Sequence, residues 1–303
     1  MISIHAPSRL HFGLLHVPTE GATGVRRFGG CGLMIDEPGI RLTVNFARDW
    51  VGAGSRALDF AKRLSTRPLA IEIEACSPEH VGLGVGTQLG LSFAEAIAQL
   101  NGEGDVPIEE LARRVERGER SRIGIHGYRA GGFWVDGGHG ATANRFELPA
   151  EWRILLARPK VEERWHGDRE RRAFTRSRDP DRALTLSHEL VRLLEADLLP
   201  AIASSNFQAF SEAMAEYNRK AGEPFAEEQG GDFNGPAVSE LIRHLKASGL
   251  VGSGQSSWGP TVFAFVADES EGNRRLEELR KDRSDLEYSA LTRPSTGRKL
   301  QIL

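Results

Sequence analysis

Two hydrophobic periods divide this chain: alternation every second residue in some stretches, and recurrence every three or four residues in others. The alternation from Met1 to Ala6 predicts a strand, and residues 40–47, 69–75, 132–136, 144–148, 153–157 and 261–266 also read as strands. The helical period predicts helices over 56–64, 87–100, 108–117, 183–199, 206–217, 237–247 and 269–281. In the second of these, Leu89, Phe93, Ile97 and Leu100 share one face, and Thr87 stands where an N-cap would. Pro107 and Pro236 stand at two helix starts, where a missing N–H costs nothing. Strands and helices do not alternate strictly, which argues against a doubly wound parallel sheet and for an α+β chain. The best domain boundary falls at Pro149-Ala150-Glu151, giving an N-terminal domain of 1–150 and a C-terminal domain of 151–303.

Composition narrows the class. With 303 residues the chain can fill two cores of ordinary size. A net charge of -3 offers no general attraction to nucleic acid or to an anionic membrane. No apolar run approaches the roughly 20 residues that span a bilayer, and the alternating N-terminus lacks the layout of a signal peptide. Two cysteines, Cys31 and Cys76, are too few for a disulfide framework, so a cytoplasmic protein is expected. The nine histidines show no metal-ligand spacing. The run Arg169–Arg178 reads as a solvated charged stretch from which an arginine could reach an anion.

The strongest chemical signal is Gly82-Leu83-Gly84-Val85-Gly86-Thr87-Gln88, a glycine-rich turn entering a helix. Helix N-terminal amides and the positive end of the dipole favour an anion there, and glycine lets a phosphate approach the backbone. No Gly-Lys-Ser/Thr follows, so this is not a P-loop, and the flanking pattern is not a dinucleotide fingerprint. A second turn, Gly252-Ser253-Gly254-Gln255-Ser256-Ser257-Trp258-Gly259-Pro260, could clamp the same ligand from the other side.

With Ser8-Arg9-Leu10-His11-Phe12-Gly13, these turns resemble the GHMP superfamily, named for galactokinase, homoserine kinase, mevalonate kinase and phosphomevalonate kinase. The resemblance is closest to the non-kinase β-ribofuranosylaminobenzene 5'-phosphate synthase family. It also rests on Gly29-Gly30-Cys31-Gly32-Leu33, on Gly131-Gly132-Phe133-Trp134-Val135-Asp136-Gly137-Gly138 and on Gln229-Gly230-Gly231, six motifs in order with the three above. It implies an N-terminal domain of ribosomal-protein-S5-like fold, a ferredoxin-like C-terminal domain and an active site between them. The kinase groups of the superfamily are missing: Val85-Gly86 stands where kinases carry paired serines, 118–128 has no aspartate, and no lysine precedes Lys62.

The resemblance implies transfer of phosphoribose from 5-phosphoribosyl 1-diphosphate to 4-aminobenzoate or 4-hydroxybenzoate, with loss of diphosphate and carbon dioxide, in methanopterin biosynthesis. A small-molecule kinase using ATP, or a non-catalytic ligand sensor on the same fold, is the alternative. Arg9 is expected to hold a carboxylate or phosphate, because its fork bonds anions in a bidentate way, and His11 to assist proton movement. Ser8, Arg26, Arg27, Gly82, Gly84, Gly86, Thr87, Gln88, Gly254, Gln255, Ser256 and Ser257 are the expected substrate-binding residues. His80 could orient the glycine turn, His126 and Arg129 could reach the cleft, and Trp258 could stack on the benzoate ring or pack an interface. Mg²⁺ is the expected cofactor, with Asp136 and Asp232 the nearest acids but no ligand pair evident, and no ATP requirement is expected. The expected partners are small-molecule substrates. A homodimer is compatible with the sequence, which does not fix the oligomeric state.

Overall fold

The structure, a computed structural model, describes residues 1–17, 27–52, 54–118, 121–137, 143–161 and 180–303. It contains two antiparallel sheets. The first is built on β1 (Ile2–Val17) and β2 (Arg27–Phe46), with β3 (Leu69–Ala75), β4 (Phe133–Asp136), β5 (Ala143–Phe146) and the final strand β10 (Lys299–Ile302). Its order is β10-β1-β2-β4-β5, with β3 also paired to β2. The second runs β7-β8-β6-β9, from β6 (Arg153–Pro159), β7 (Ser253–Gln255), β8 (Val262–Val266) and β9 (Leu286–Thr292). The chain passes from one sheet to the other between β5 and β6, and its last strand returns to pair Ile2 with Ile302 on the first.

Several elements depart from the sequence expectation. Strands β1 and β2 are far longer than the alternation suggested, because Ser8–Gly13 and Gly29–Leu33 pair across the sheet although glycines break their apolar pattern. Strands β7, β9 and β10 were not expected: β7 is only three residues, and β9 and β10 carry mostly half-buried or exposed side chains without a clear period. The helix α4 (Ile123–Ala130) was also missed, since its Gly124 and Gly127 lower helix propensity. Those glycines admit close neighbours, Gln88 and Met34 respectively. The helix expected over 183–199 is α5 (Pro180–Leu193), followed by a π-helical turn at Leu194–Leu198 and by α6 (Leu199–Ala203). Pro107 is the N-cap of α3 (Ile108–Arg114) rather than its first residue.

The two sheets share a main core, and a second apolar cluster lies against the second sheet around Leu155, Val238, Leu241 and Val266. Phe12 of β1 meets Phe263 of β8 edge-on at 4.9 Å, Phe265 meets Phe210 at 4.8 Å, and Phe210 meets Trp152 at 4.8 Å. Phe210 lies on α7 (Phe207–Gly222), whose Asn206 caps it by accepting from the Ala209 amide. Helix α1 (Ser55–Leu64) packs against α2 (Val85–Leu100), which is buried on nearly all sides.

One acid sits inside that apolar helix and therefore needs partners. Glu95 is 1% exposed and receives Arg298 through two hydrogen bonds of 2.8 Å, while Arg129 Nε donates at 2.9 Å. Burial pushes its carboxyl up, but the Arg298 hydrogen bonds and then the Arg298 and Arg129 charges outweigh it, so the net shift is downward. The triad fastens α2 to α4 and to the segment leading into β10. Glu95→Ala is expected to destabilise the protein by up to the ~3–5 kcal/mol of a broken buried pair, moderated because both guanidiniums keep some contact with water. A urea titration checks it. Because the folded pKa is depressed, the Glu95 contribution is present above the ordinary glutamate range and is lost as pH falls through the folded value.

Candidate functional site

Strand β1 aims the first set of site residues. Leu10 and Phe12 bury into the core, and Arg9, His11 and Gly13 line a cleft of about 470 Å³, within the range of small-molecule pockets. A bulge between His11 and Gly13, one of two in the β1–β2 pairing, re-aims the strand at this point. The other walls are the glycine turn 82–87, residues 116–118 with Ser121 and Gly124, the end of α7 with the segment after it, and the 255–259 loop.

Gly84, not Thr87, is the N-cap of α2, with φ 69° in the left-handed region. Its carbonyl accepts from the Thr87 and Gln88 amides at 3.0 and 3.1 Å. Val85 and Gly86 supply the first two amides of the helix, which no helix can satisfy itself. Arg9 lies over this same point: a Cβ built on Gly84 would stand 3.0 Å from Arg9 Nε and 3.4 Å from Nη2. Its amide donates to Leu83 O at 2.9 Å, so the strand carrying the guanidinium is tied to the turn carrying the amides. Helix dipole, open amides and a fixed cation thus converge on one place, which suits a phosphate or carboxylate.

His11 is buried, with its ring Nε2 3.0 Å from Ser121 Oγ. Burial, and then the charge of Arg9, hold its imidazole well below the usual histidine range, so the ring is neutral near pH 7. A neutral ring beside a hydroxyl can accept a proton or a hydrogen bond without adding a third charge to the cleft.

The 252–260 loop supplies the opposite wall, but only part of it faces the cleft. Gln255 and Ser257 line it. Ser256 is fully buried, accepting from His11 N at 3.1 Å and donating to Gly82 O at 2.7 Å, so it holds the loops together instead of touching a ligand. Gly254 makes room for Asn218, whose Nδ2 donates to Phe12 O and Gln255 O at 2.8 and 2.9 Å. Ser8 donates to Pro38 O at 2.5 Å and Gln88 Nε2 donates to O of the cleft residue Gly124 at 2.7 Å, and neither Ser8 nor Gln88 lines the cleft. None of these four, expected to bind substrate, lines the cleft: small or hydrogen-bonding side chains in a glycine-rich motif serve packing as readily as binding.

Arg26 and the run Arg169–Arg178 lie outside the described residues. Arg27 opens β2, and its backbone pairs with Val17. His80 lines the cleft, whereas His126 stacks on Trp134 at 5.4 Å and Arg129 is taken by Glu95. Asp232 lines the cleft, but Asp136 is buried, its Oδ2 accepting from Arg122 N at 3.3 Å. The sequence reading missed Arg117, Ser121, Glu79 and Glu116 as cleft residues. The dense charge of 113–122, interrupted by Gly118, was the available signal for two of them. His80, Glu116 and Ser257 all line the cleft with left-handed φ of 59°, 55° and 55°, a strained state for residues with a Cβ that collects at functional sites.

The model of the GHMP kinases N terminal domain matches residues 53–132, and that of the GHMP kinases C terminal matches residues 198–284. The chain belongs to the GHMP kinase superfamily. Two relatives of similar length carry the name of a synthase. The chain is 29% identical over 312 aligned positions to the β-ribofuranosylphenol 5'-phosphate synthase of Methanothermobacter thermautotrophicus, covering 89% of this chain and 90% of the relative. The synthase of the same name from Archaeoglobus fulgidus is 28% identical over 301 positions, covering 91% of each chain. Among solved structures, mevalonate-3-kinase from Thermoplasma acidophilum aligns with TM-score 0.68 at 12% identity, over 99% of this chain and 98% of its own. Homoserine kinase from Cytophaga hutchinsonii aligns with TM-score 0.65 at 15% identity, over 99% and 97%. These likenesses show the α+β GHMP-kinase-like fold. Among the described residues, no helix is long and apolar enough to cross a membrane.

Proposed function

We propose that this chain is a decarboxylating phosphoribosyltransferase joining 5-phosphoribosyl 1-diphosphate to a para-substituted benzoate, with a place in methanopterin biosynthesis. The observation that carries the reading is the convergence of Arg9 with the α2 amides in a cleft whose α4 wall carries no aspartate. Such a site suits an anion, and its α4 wall lacks the aspartate that superfamily kinases use as base. The relatives' name describes a phenol riboside, the product 4-hydroxybenzoate yields when its carboxyl carbon leaves, so 4-hydroxybenzoate ranks before 4-aminobenzoate.

The bond from C1 of the donor to its diphosphate breaks and the electron pair departs with diphosphate. The ring carbon bearing the carboxylate bonds to C1, the carboxyl carbon leaves as carbon dioxide, and its bonding pair restores the ring. No net proton is gained or lost, so the reaction asks for positioning and charge stabilisation more than for a strong base. Arg9, with the Val85 and Gly86 amides, is assigned to an anionic group of the donor. Neutral His11 can accept a hydrogen bond from the acceptor's para hydroxyl and so enrich the ring.

Magnesium favours phosphate oxygens and water over an all-protein cage, and we assign it to enter with the donor, whose charge it would offset. Among the described residues no three His, Cys, Asp or Glu are grouped to hold a metal, so Glu79, Glu116 or Asp232 would contribute singly. Incubation with the donor, each benzoate and Mg²⁺ is expected to release diphosphate, whereas ATP offered with the same acceptors should give no ADP. Steady ADP formation would make the chain a kinase, and binding without turnover a ligand sensor.

A further inference from the structure

One end of the cleft is aromatic. Phe225, Phe233 and Trp258 all line it, and the Phe225 and Trp258 rings meet edge-on with centroids 4.6 Å apart at 67°. Three aromatic side chains form this wall, Phe225 from the 3-10 turn after α7, Phe233 from beyond the short helix Ala226–Gln229, and Trp258 from the 255–259 loop. They stand apart from the main aromatic cluster around Phe12, Phe210 and Phe265, although Phe225 is buried and Phe233 also packs against the apolar cluster around Val238 and Leu241.

The wall is held in place before any ligand arrives. Asn234 Nδ2 donates to Trp258 O at 2.6 Å, and Asn234 N donates to Gln255 Oε1 at 2.7 Å. Gln255 Nε2 in turn donates to Ser257 O at 2.6 Å. The turn bearing Phe233 is closed by Gln229 Nε2, which donates to Gly231 O and Asp232 O at 2.9 Å each. A rigid aromatic surface of this kind binds a flat ring with little ordering cost.

Its position relative to the anion turn identifies the ring. Gly259, next to Trp258, abuts Gly82: a Cβ on Gly82 would stand 3.5 Å from Gly259 Cα. The aromatic wall and the turn that leads to the α2 amides are therefore neighbours in one cleft, so a flat ring on the wall lies beside an anion on the turn. The geometry points to the Phe225–Phe233–Trp258 wall as the subsite for the aromatic ring of the benzoate acceptor, set against the donor held at Gly84 and Arg9. This rests on the synthase reading above and adds to it the place of the second substrate.

Steady-state kinetics and calorimetry on the intact protein test the assignment with Trp258→Ala and the conservative Trp258→Phe. Trp258→Ala is expected to raise KM for 4-hydroxybenzoate about ten-fold, the loss of one aromatic stack with its buried area, and to leave KM for the donor within about two-fold. Trp258→Phe should restore most of the acceptor affinity, which a merely structural role would not produce selectively. Turnover by Trp258→Ala with an unchanged acceptor KM would overturn the subsite while leaving the synthase reading intact. Absence of turnover in the native protein, with calorimetric binding of 4-hydroxybenzoate that Trp258→Ala abolishes and Trp258→Phe keeps, would support the subsite and remove the synthase reading. If Trp258→Ala instead weakens adenine nucleotide binding and leaves benzoate binding alone, the wall belongs to a nucleotide and the assignment fails.

Discussion

Arg9→Lys is expected to lower kcat/KM by roughly one to two orders of magnitude, and Arg9→Ala by more. Lysine keeps the positive charge but loses the planar fork, so the pair of variants separates geometry from charge. A hydrogen bond to a charged group is worth about 1.5–3 kcal/mol, which sets the size of the first loss. The guanidinium lies over Gly84, and the Arg9 backbone is tied to Leu83, so a lysine in its place starts from the right backbone but reaches the anion differently. Comparison of KM for donor and acceptor in the two variants shows which anion Arg9 holds. Wild-type kinetics in both variants would remove Arg9 from the site and leave the turn to act through its amides alone.

Gly84→Val is expected to lose donor affinity by at least ten-fold to a hundred-fold while the protein still folds. A β-branched residue at φ 69° is strained by about 1–3 kcal/mol, and its side chain would enter the space of the Arg9 guanidinium. Relief of the strain turns the first amides of α2 away from the ligand and displaces Arg9 together with them. The remainder of α2 is anchored elsewhere, by Glu95 at its far end and by the Gln88 bond to Gly124, so the helix itself should persist. Calorimetric titration with 5-phosphoribosyl 1-diphosphate, beside circular dichroism of the same sample, separates binding from folding. Unchanged affinity would show that the donor does not use this helix start.

The sequence carried the glycine turn, Arg9 and His11 because their chemistry is local: glycines before an apolar helix, and a cation and imidazole on one strand face. It did not carry the division of labour within the motifs. Ser256 and Gln88 look like ligand donors in the linear sequence, and only the approach of remote segments, Gly82 to Ser256 and Gly124 to Gln88, shows that the Ser256 hydroxyl and the Gln88 Nε2 already donate within the protein. Arg117 and Ser121 come to the cleft ahead of a helix, α4, that two glycines hid from the helical period. The last strand was equally hidden, since β10 is a short edge strand whose place is set by pairing with β1 and not by its own alternation.

In the proposed reaction one cleft couples diphosphate departure to loss of a carboxyl group. Its most direct test follows 4-hydroxybenzoate labelled in the carboxyl carbon, incubated with 5-phosphoribosyl 1-diphosphate and Mg²⁺ while labelled carbon dioxide and diphosphate are counted together. Equal amounts of the two, formed only when both substrates are present and strongly reduced by Arg9→Ala, are the result predicted here. Diphosphate released without labelled carbon dioxide, or no release of either from both benzoates, would contradict it.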